Sequence, residues 1–194
     1  SFAAVALNGH VATTLAMAGV SLPDYLDGQD LFSSEYKPVR YVISARDRCD
    51  YTIDRIRTVR SDQLRYIRNF YPDRPMLQPQ YRDNKKDVLD LKRLHQAGQL
   101  NDYQEQHWFG VRPTEELYDI ANDPHQINNL AGDPRYAEDL REHRDVLDKW
   151  IEETNDQGQY PESVVQLKAT YELWKDKPVF KNADVNPEYD QFRK

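Results

Sequence analysis

The stretch Ser44–Tyr71, SARDRCDYTIDRIRTVRSDQLRYIRNFY, decides how this chain is read. Within it Arg55–Arg60 and Leu64–Asn69 are two strand candidates, and Tyr41–Ala45 (YVISA) just upstream has the same β-branched and aromatic character. Ser61, Asp62 and Gln63 separate the pair, which predicts a hairpin without the Gly that a primed turn favours. The same region concentrates one kind of charge. From residue 40 to residue 74 there are nine Arg and no Lys against five Asp, in a chain of net charge −7. Arg presents a planar fork of donors suited to sulfate, phosphate and carboxylate, and it stays charged at any relevant pH. Two readings follow. A small sheet with Arg on one face could line a cleft for an anionic ligand; alternatively the Arg pair with the interleaved Asp on a solvated face, where each pair is worth little.

Working outward, residues 11–18 (VATTLAMA) predict a short helix ended by Gly19, and Leu31-Phe32 are expected to re-enter a core. Pro72, Pro75 and Pro79 make residues 70–80 extended or looping. Asp87–Gly98 places Val88, Leu91, Leu94 and His95 on one helical face with Gly98 as the stop, and Asn101 caps a helix running to Trp108. Glu116–Ile120 (ELYDI) is a short strand. Asp133-Pro134 then pairs an N-cap with Pro at the first helical position. The stripe Tyr136, Leu140, Leu147, Trp150 and Ile151 makes the following helix, to about Thr154, the strongest in the chain. A further helix from Ser163 to Trp174 carries Val164, Leu167, Tyr171 and Trp174 on one face. The tail after Pro178 is polar and is expected to wrap the surface or fray. Short strands followed by long helices predict an α+β fold.

Composition limits the function. With 194 residues, 39% hydrophobic and 11% aromatic, the chain has enough apolar surface for an ordered domain. Tyr66, Phe70 and Tyr71 could stack on bases, but the acidic balance argues against nucleic acid and against anionic membranes. The first 22 residues lack Asp, Glu, Lys and Arg. Asn8, Gly9 and His10 interrupt that run, and Ala, Thr and Gly supply little transfer energy, so it is read as a helix buried against protein. No basic segment precedes an apolar core as in a signal peptide. Cys49, the single cysteine, excludes an internal disulfide and a cysteine zinc site, and no base is assignable beside it. His10, His95, His107, His125 and His143 are scattered without metal-ligand spacing and read as surface or capping residues. There is no phosphate loop, no G-x-S-x-G and no H-E-x-x-H, so no catalytic or metal-binding residue is named.

Three stretches together resemble the sulfatases, in the branch related to heparan N-sulfatase. Val11–Phe32 (VATTLAMAGVSLPDYLDGQDLF) is similar to the helix and P-x-x-x-(D/Q)-G loop that follow that family's last core elements. Ser44–Tyr71 resembles the strand pair of its C-terminal subdomain, and Glu116–Leu130 (ELYDIANDPHQINNL) its ELYDL-x-x-DP-x-E-x-x-NL signature. The resemblance runs over residues 11–156. His10 and Ala12-Thr13 stand where D-x-A-P-T is common, and Gln126 replaces the Glu of DP-x-E.

The resemblance implies a small four-stranded antiparallel sheet edged by ELYDI, packed against the long helix Asp133–Thr154, with peripheral helices. It implies the boundaries 1–32 for the tail end of the core domain, 33–156 for the C-terminal subdomain and 157–194 for a helix and surface tail. It also implies that formylglycine, made within C/S-x-P-S-R, and calcium belong to a preceding N-terminal catalytic domain, the expected partner. Cys49 is followed by Asp-Tyr-Thr-Ile and is not that motif. The substrate implied is a sulfated carbohydrate, contacted here by Arg46, Arg48, Asp50 and Arg57, and the parent enzyme would be periplasmic or secreted. An independent polyanion-binding module and a truncated remnant are the alternatives.

Overall fold

The computed structural model describes residues 7–181 and 186–193. Its centre is an open antiparallel sheet of four strands in the order β1-β2-β3-β4. The strands are β1 (Val42–Cys49), β2 (Thr52–Arg60), β3 (Leu64–Asn69) and β4 (Glu115–Asp119). The helices are α1 (Leu7–Met17), α2 (Lys86–Gln96), α3 (Asp102–Phe109), α4 (Ala137–Thr154), α5 (Val164–Trp174) and the short α6 (Pro178–Lys181). The α+β expectation and the ELYDI edge strand therefore hold. No described helix is long and apolar enough to cross a membrane; residues 1–6 of the uncharged opening lie outside the described residues.

Helix ends follow the local chemistry of the sequence. Gly19 and Gly98 take φ of +73° and +63°, and Asn155 takes +49°, each just past a helix. In all three places that residue's own N–H and the next one return to last-turn carbonyls, for example Gly98 N–H to His95 O and Gln99 N–H to Leu94 O, both 2.9 Å. Asn101 and Gln104 form a reciprocal capping box on α3. Asp133 accepts from the Arg135 N–H and opens a 3-10 turn, Pro134–Tyr136, that runs into α4.

The chain divides into two compact units. The first comprises Ser1–Ser44, Arg57–Ile67 and Glu116–Lys149. In it the β2–β3 turn closes without Gly because the Ser61 hydroxyl accepts the Leu64 N–H at 3.1 Å while Ser61 N–H reaches Leu64 O at 2.9 Å. His143 is no surface histidine. Its ring is buried on α4, with Nδ1 2.7 Å from Asp139 O and Nε2 3.2 Å from Ser61 Oγ, and its edge meets Tyr41. β4 is locked to the loop after it by Leu130 N–H to Leu117 O and by Leu117 N–H to Asn129 Oδ1, at 2.8 and 2.9 Å. Leu31 is half-buried but Phe32 is 78% exposed, so only the first of that pair enters a core.

The second unit comprises Ala45–Ile56, Arg68–Glu115 and Trp150–Lys194. Its core is Tyr51, Ile53, Leu167, Phe180 and Tyr189, with Tyr71, Tyr171, Trp174, Val179 and Phe192 around it. Two of the expectations are corrected here. Val164 turns outward, leaving Leu167, Tyr171 and Trp174 as the inner face of α5. The segment after Pro178 is not a surface tail: Phe180 and Tyr189 are among the most buried side chains of the unit. Polar spacing around those two aromatics hid them from periodicity, because a 3-10 turn of six residues, Pro187–Phe192, buries only Tyr189.

Candidate functional site

The arginine-rich segment was the expected ligand face, and its geometry can be followed residue by residue. β1 and β2 are joined by Asp50 and Tyr51, with Asp50 at φ +53°, a conformation Asp tolerates better than most residues. This first hairpin went unread in the sequence, although an Asp between two charged, alternating runs is its signal. Along β1 the residues Ser44–Asp47 are all exposed, Arg46 among them.

Arg48 is tied down from several sides. Its Nε donates to Glu162 Oε1 at 2.9 Å, its Nη2 pairs with Glu162 Oε2, and its Nη1 reaches Thr170 Oγ1 at 2.5 Å and Asp50 O at 3.4 Å. That bidentate fork uses most of its donors within the second unit. Asp50 is exposed at the turn. Arg57 belongs to the first unit and is 0% exposed. Of the four residues expected at a ligand, the structure brings Arg46, Arg48 and Asp50 together on one hairpin, where Arg46 and Asp50 are exposed and Arg48 is half-buried.

Three further arginines of the second unit, Arg55, Arg74 and Arg112, are buried and build its interior. Arg55 donates through Nη1 to Gln159 O at 2.8 Å, and Arg74 through Nη1 to Ile53 O at 2.9 Å and through Nη2 to Glu188. Their guanidinium carbons lie 4.4 and 3.8 Å from the Tyr71 ring centroid, two cations on one aromatic. Arg112 completes the group. Its Nη1 and Nη2 grip Asp54 at 3.2 and 2.8 Å, while Nε and Nη2 donate to Arg74 O and Tyr71 O at 2.8 and 2.9 Å. Asn186 continues β2 beyond the end of β3, accepting the Ile53 N–H at 2.6 Å and donating to Gln78 Oε1 at 3.1 Å. Sequence reasoning named none of Arg112, Glu162, Asn186 or Glu188, because their partners lie far off along the chain.

Two tyrosines of this interior carry shifted acidities. Burial, then the Asp83 and Asp50 charges, pushes the Tyr51 phenol up to about 12. Burial likewise raises Tyr189 to about 12, opposed by Arg48 and reinforced by Glu162 and Glu188. Its hydroxyl donates to Tyr51 O at 2.9 Å, a bond the phenolate cannot make. Below pH ~10 folded and unfolded chains both hold these protons. Above it the unfolded chain releases them first, so stability falls as pH rises from ~10 towards 12. In a titration of phenolate absorbance, Tyr189→Phe and Tyr51→Phe should each remove signal from the latest-titrating fraction; loss from the fraction near pH ~10 would contradict these shifts.

Among the described residues no three His, Cys, Asp or Glu side chains converge as a metal donor set. They do not fit a calcium cage.

No family model matches the chain. An ulvan-active sulfatase of Formosa agariphila is 38% identical over 154 residues, 78% of this chain and 26% of the relative. The N-sulphoglucosamine sulphohydrolase of Homo sapiens is 44% identical over 68 residues, 34% of this chain and 14% of that protein. A Δ4,5-hexuronate-2-O-sulfatase of Bacteroides thetaiotaomicron is 50% identical over 42 residues, 22% and 9% of the two chains. Among solved structures, a 2-O GAG sulfatase superposes with a TM-score of 0.50 at 24% identity, covering 77% of this chain and 25% of the other. That likeness is one of fold. The match thus takes in about a quarter of the length of the ulvan-active sulfatase and of the 2-O GAG sulfatase, and less of the other two.

Proposed function

The chain's homologues are sulfatases, of whose length it matches a quarter or less, and from that premise we propose that it is the C-terminal portion of one. In this reading it completes the fold and rims the substrate pocket of a sulfuric-ester or sulfamate hydrolase without supplying catalytic groups. The observation that carries the reading is the 38% identity over 154 residues to the ulvan-active sulfatase. The N-terminal catalytic domain is the partner, and formylglycine and calcium bound there supply the sulfate-transfer chemistry. The substrate is a sulfated carbohydrate, a class consistent with the relatives' names. Such polymers are met outside the cytoplasm, which suits a periplasmic or secreted parent enzyme.

Of the four rim residues, Arg46 and Asp50 have the exposure for direct contact with a sulfated sugar, while Arg48 is tied to Glu162 and Thr170 and Arg57 is fully buried. The test is an aryl-sulfate assay with calcium. The 194-residue chain alone should give no turnover. Turnover is expected once it is joined to the portion of its parent carrying C/S-x-P-S-R. In that assembly Arg46→Ala should raise KM for a sulfated oligosaccharide and leave the small aryl sulfate unchanged. Real turnover by the isolated chain, or no activity from the assembly, would overturn the proposal.

A further inference from the structure

A second cationic surface lies outside the arginine-rich hairpin. Tyr81–Lys86 reads YRDNKK, and Arg82, Lys85 and Lys86 are all exposed. None of the three has an acidic side chain within ion-pair reach among the described residues, in a chain whose acidic groups outnumber its Lys and Arg by 33 to 26. Three unneutralised cations in five residues therefore stand against the overall charge. A solvated face of ordinary composition interleaves the two signs instead, as α2 does further on, where Arg93 pairs with Asp90.

The segment is ordered rather than loose. Asp83 N–H donates to Gln80 O at 3.0 Å and Lys85 N–H to Arg82 O at 2.9 Å. At its base the Thr52 hydroxyl donates to Pro79 O. The acidic residue inside the patch is already spent: Asp83 Oδ2 takes the Lys92 ammonium at 2.8 Å, and Oδ1 is buried. Arg82 Nε donates to Tyr81 Oη at 2.6 Å, and its guanidinium carbon lies 5.0 Å from the Tyr81 ring centroid, so cation and aromatic form one shelf. Lys85 then starts α2 with no side-chain cap, which adds the positive end of an 11-residue helix beside the two lysines. Asp87, exposed in the first turn, brings an opposing charge to this segment.

We propose that Arg82, Lys85 and Lys86, together with the Tyr81 ring, form an anion subsite that holds a sulfate-bearing sugar of a carbohydrate chain. The identity of the anion rests on the sulfatase reading given above. The combination suits such a ligand better than an isolated ion: the guanidinium and ammonium groups take sulfate oxygens, and the aromatic ring packs against a pyranose face. It would engage the polymer through a sugar distinct from the one contacted at Arg46 and Asp50.

The test measures binding of the full 194-residue chain to heparin and to desulfated heparin. The triple variant Arg82→Ala, Lys85→Ala, Lys86→Ala should weaken heparin binding about tenfold at ~0.1 M salt and flatten its salt dependence, since fewer counterions are released. Its circular dichroism and melting should match the parent chain, because all three side chains are exposed. Arg93→Ala should change neither. Unchanged heparin affinity in the triple variant, no binding by the parent chain, or equal binding of desulfated heparin or of RNA would each overturn the subsite. The sulfatase reading stands or falls separately, on the aryl-sulfate assembly assay, whose small substrate does not reach beyond one sulfate.

Discussion

Arg112→Ala is expected to destabilise the second unit by about 3–5 kcal/mol, the range for breaking a buried ion pair. The side chains of Arg112 and Asp54 are only 5% and 1% exposed, so removing the guanidinium leaves a carboxylate with almost no access to water. The loss extends past the pair, because Arg112 also satisfies the Arg74 carbonyl and shares the Tyr71 carbonyl with the Arg74 N–H. An unsatisfied buried acceptor costs about 1–3 kcal/mol on its own, which is part of the total for the variant. Asp54→Asn separates the contributions. It keeps an acceptor for one arm of the fork but leaves the buried cation uncompensated. Urea unfolding monitored by tryptophan fluorescence reads the effect. A loss below about 1 kcal/mol for Arg112→Ala would mean that the pair is open to water and that the arginine interior is not a closed network.

Tyr189→Ala should cost about 3–5 kcal/mol, as for other fully buried aromatics cut to Ala. The ring meets Phe180 at 5.6 Å in an edge-on arrangement inside the core that also holds Tyr51 and Leu167. Tyr189→Phe removes only the hydroxyl that donates to Tyr51 O and should cost about 0.5–1.5 kcal/mol. The gap between the two variants measures packing by the segment that composition alone assigns to the surface. Thermal or urea unfolding of both decides it. If Tyr189→Ala proves as mild as Tyr189→Phe, Pro187–Phe192 frays as its polarity suggests.

What could be read from the residues was local. Gly19, Gly98, Asn101 and Asp133 mark helix ends because a cap or a left-handed turn depends on chemistry within three or four positions. The β2–β3 hairpin was legible for the same reason, and Ser61 supplied the closure that a missing Gly seemed to withhold. His143 was misjudged because a lone histidine has no local signature of burial; its partners come from one turn away on α4 and from Ser61, 82 positions distant.

The candidate site shows the limit more sharply. That the segment from 40 to 74 is rich in Arg, and that Arg seeks a carboxylate or an anion, is present in the sequence. Which arginines face outward is not. Arg48 finds Glu162 at a separation of 114 residues, Arg112 finds Asp54 at 58, and Asn186 finds Ile53 at 133. No spacing rule couples such positions, and a guanidinium has equal appetite for an internal carboxylate and an external sulfate. The residue types alone thus determined an α+β chain with sulfatase-like segments and a surplus of cationic forks. Only the tertiary structure decided that Arg55, Arg57 and Arg74 are interior, because burying a charge is tolerable solely where long-range folding delivers its partner.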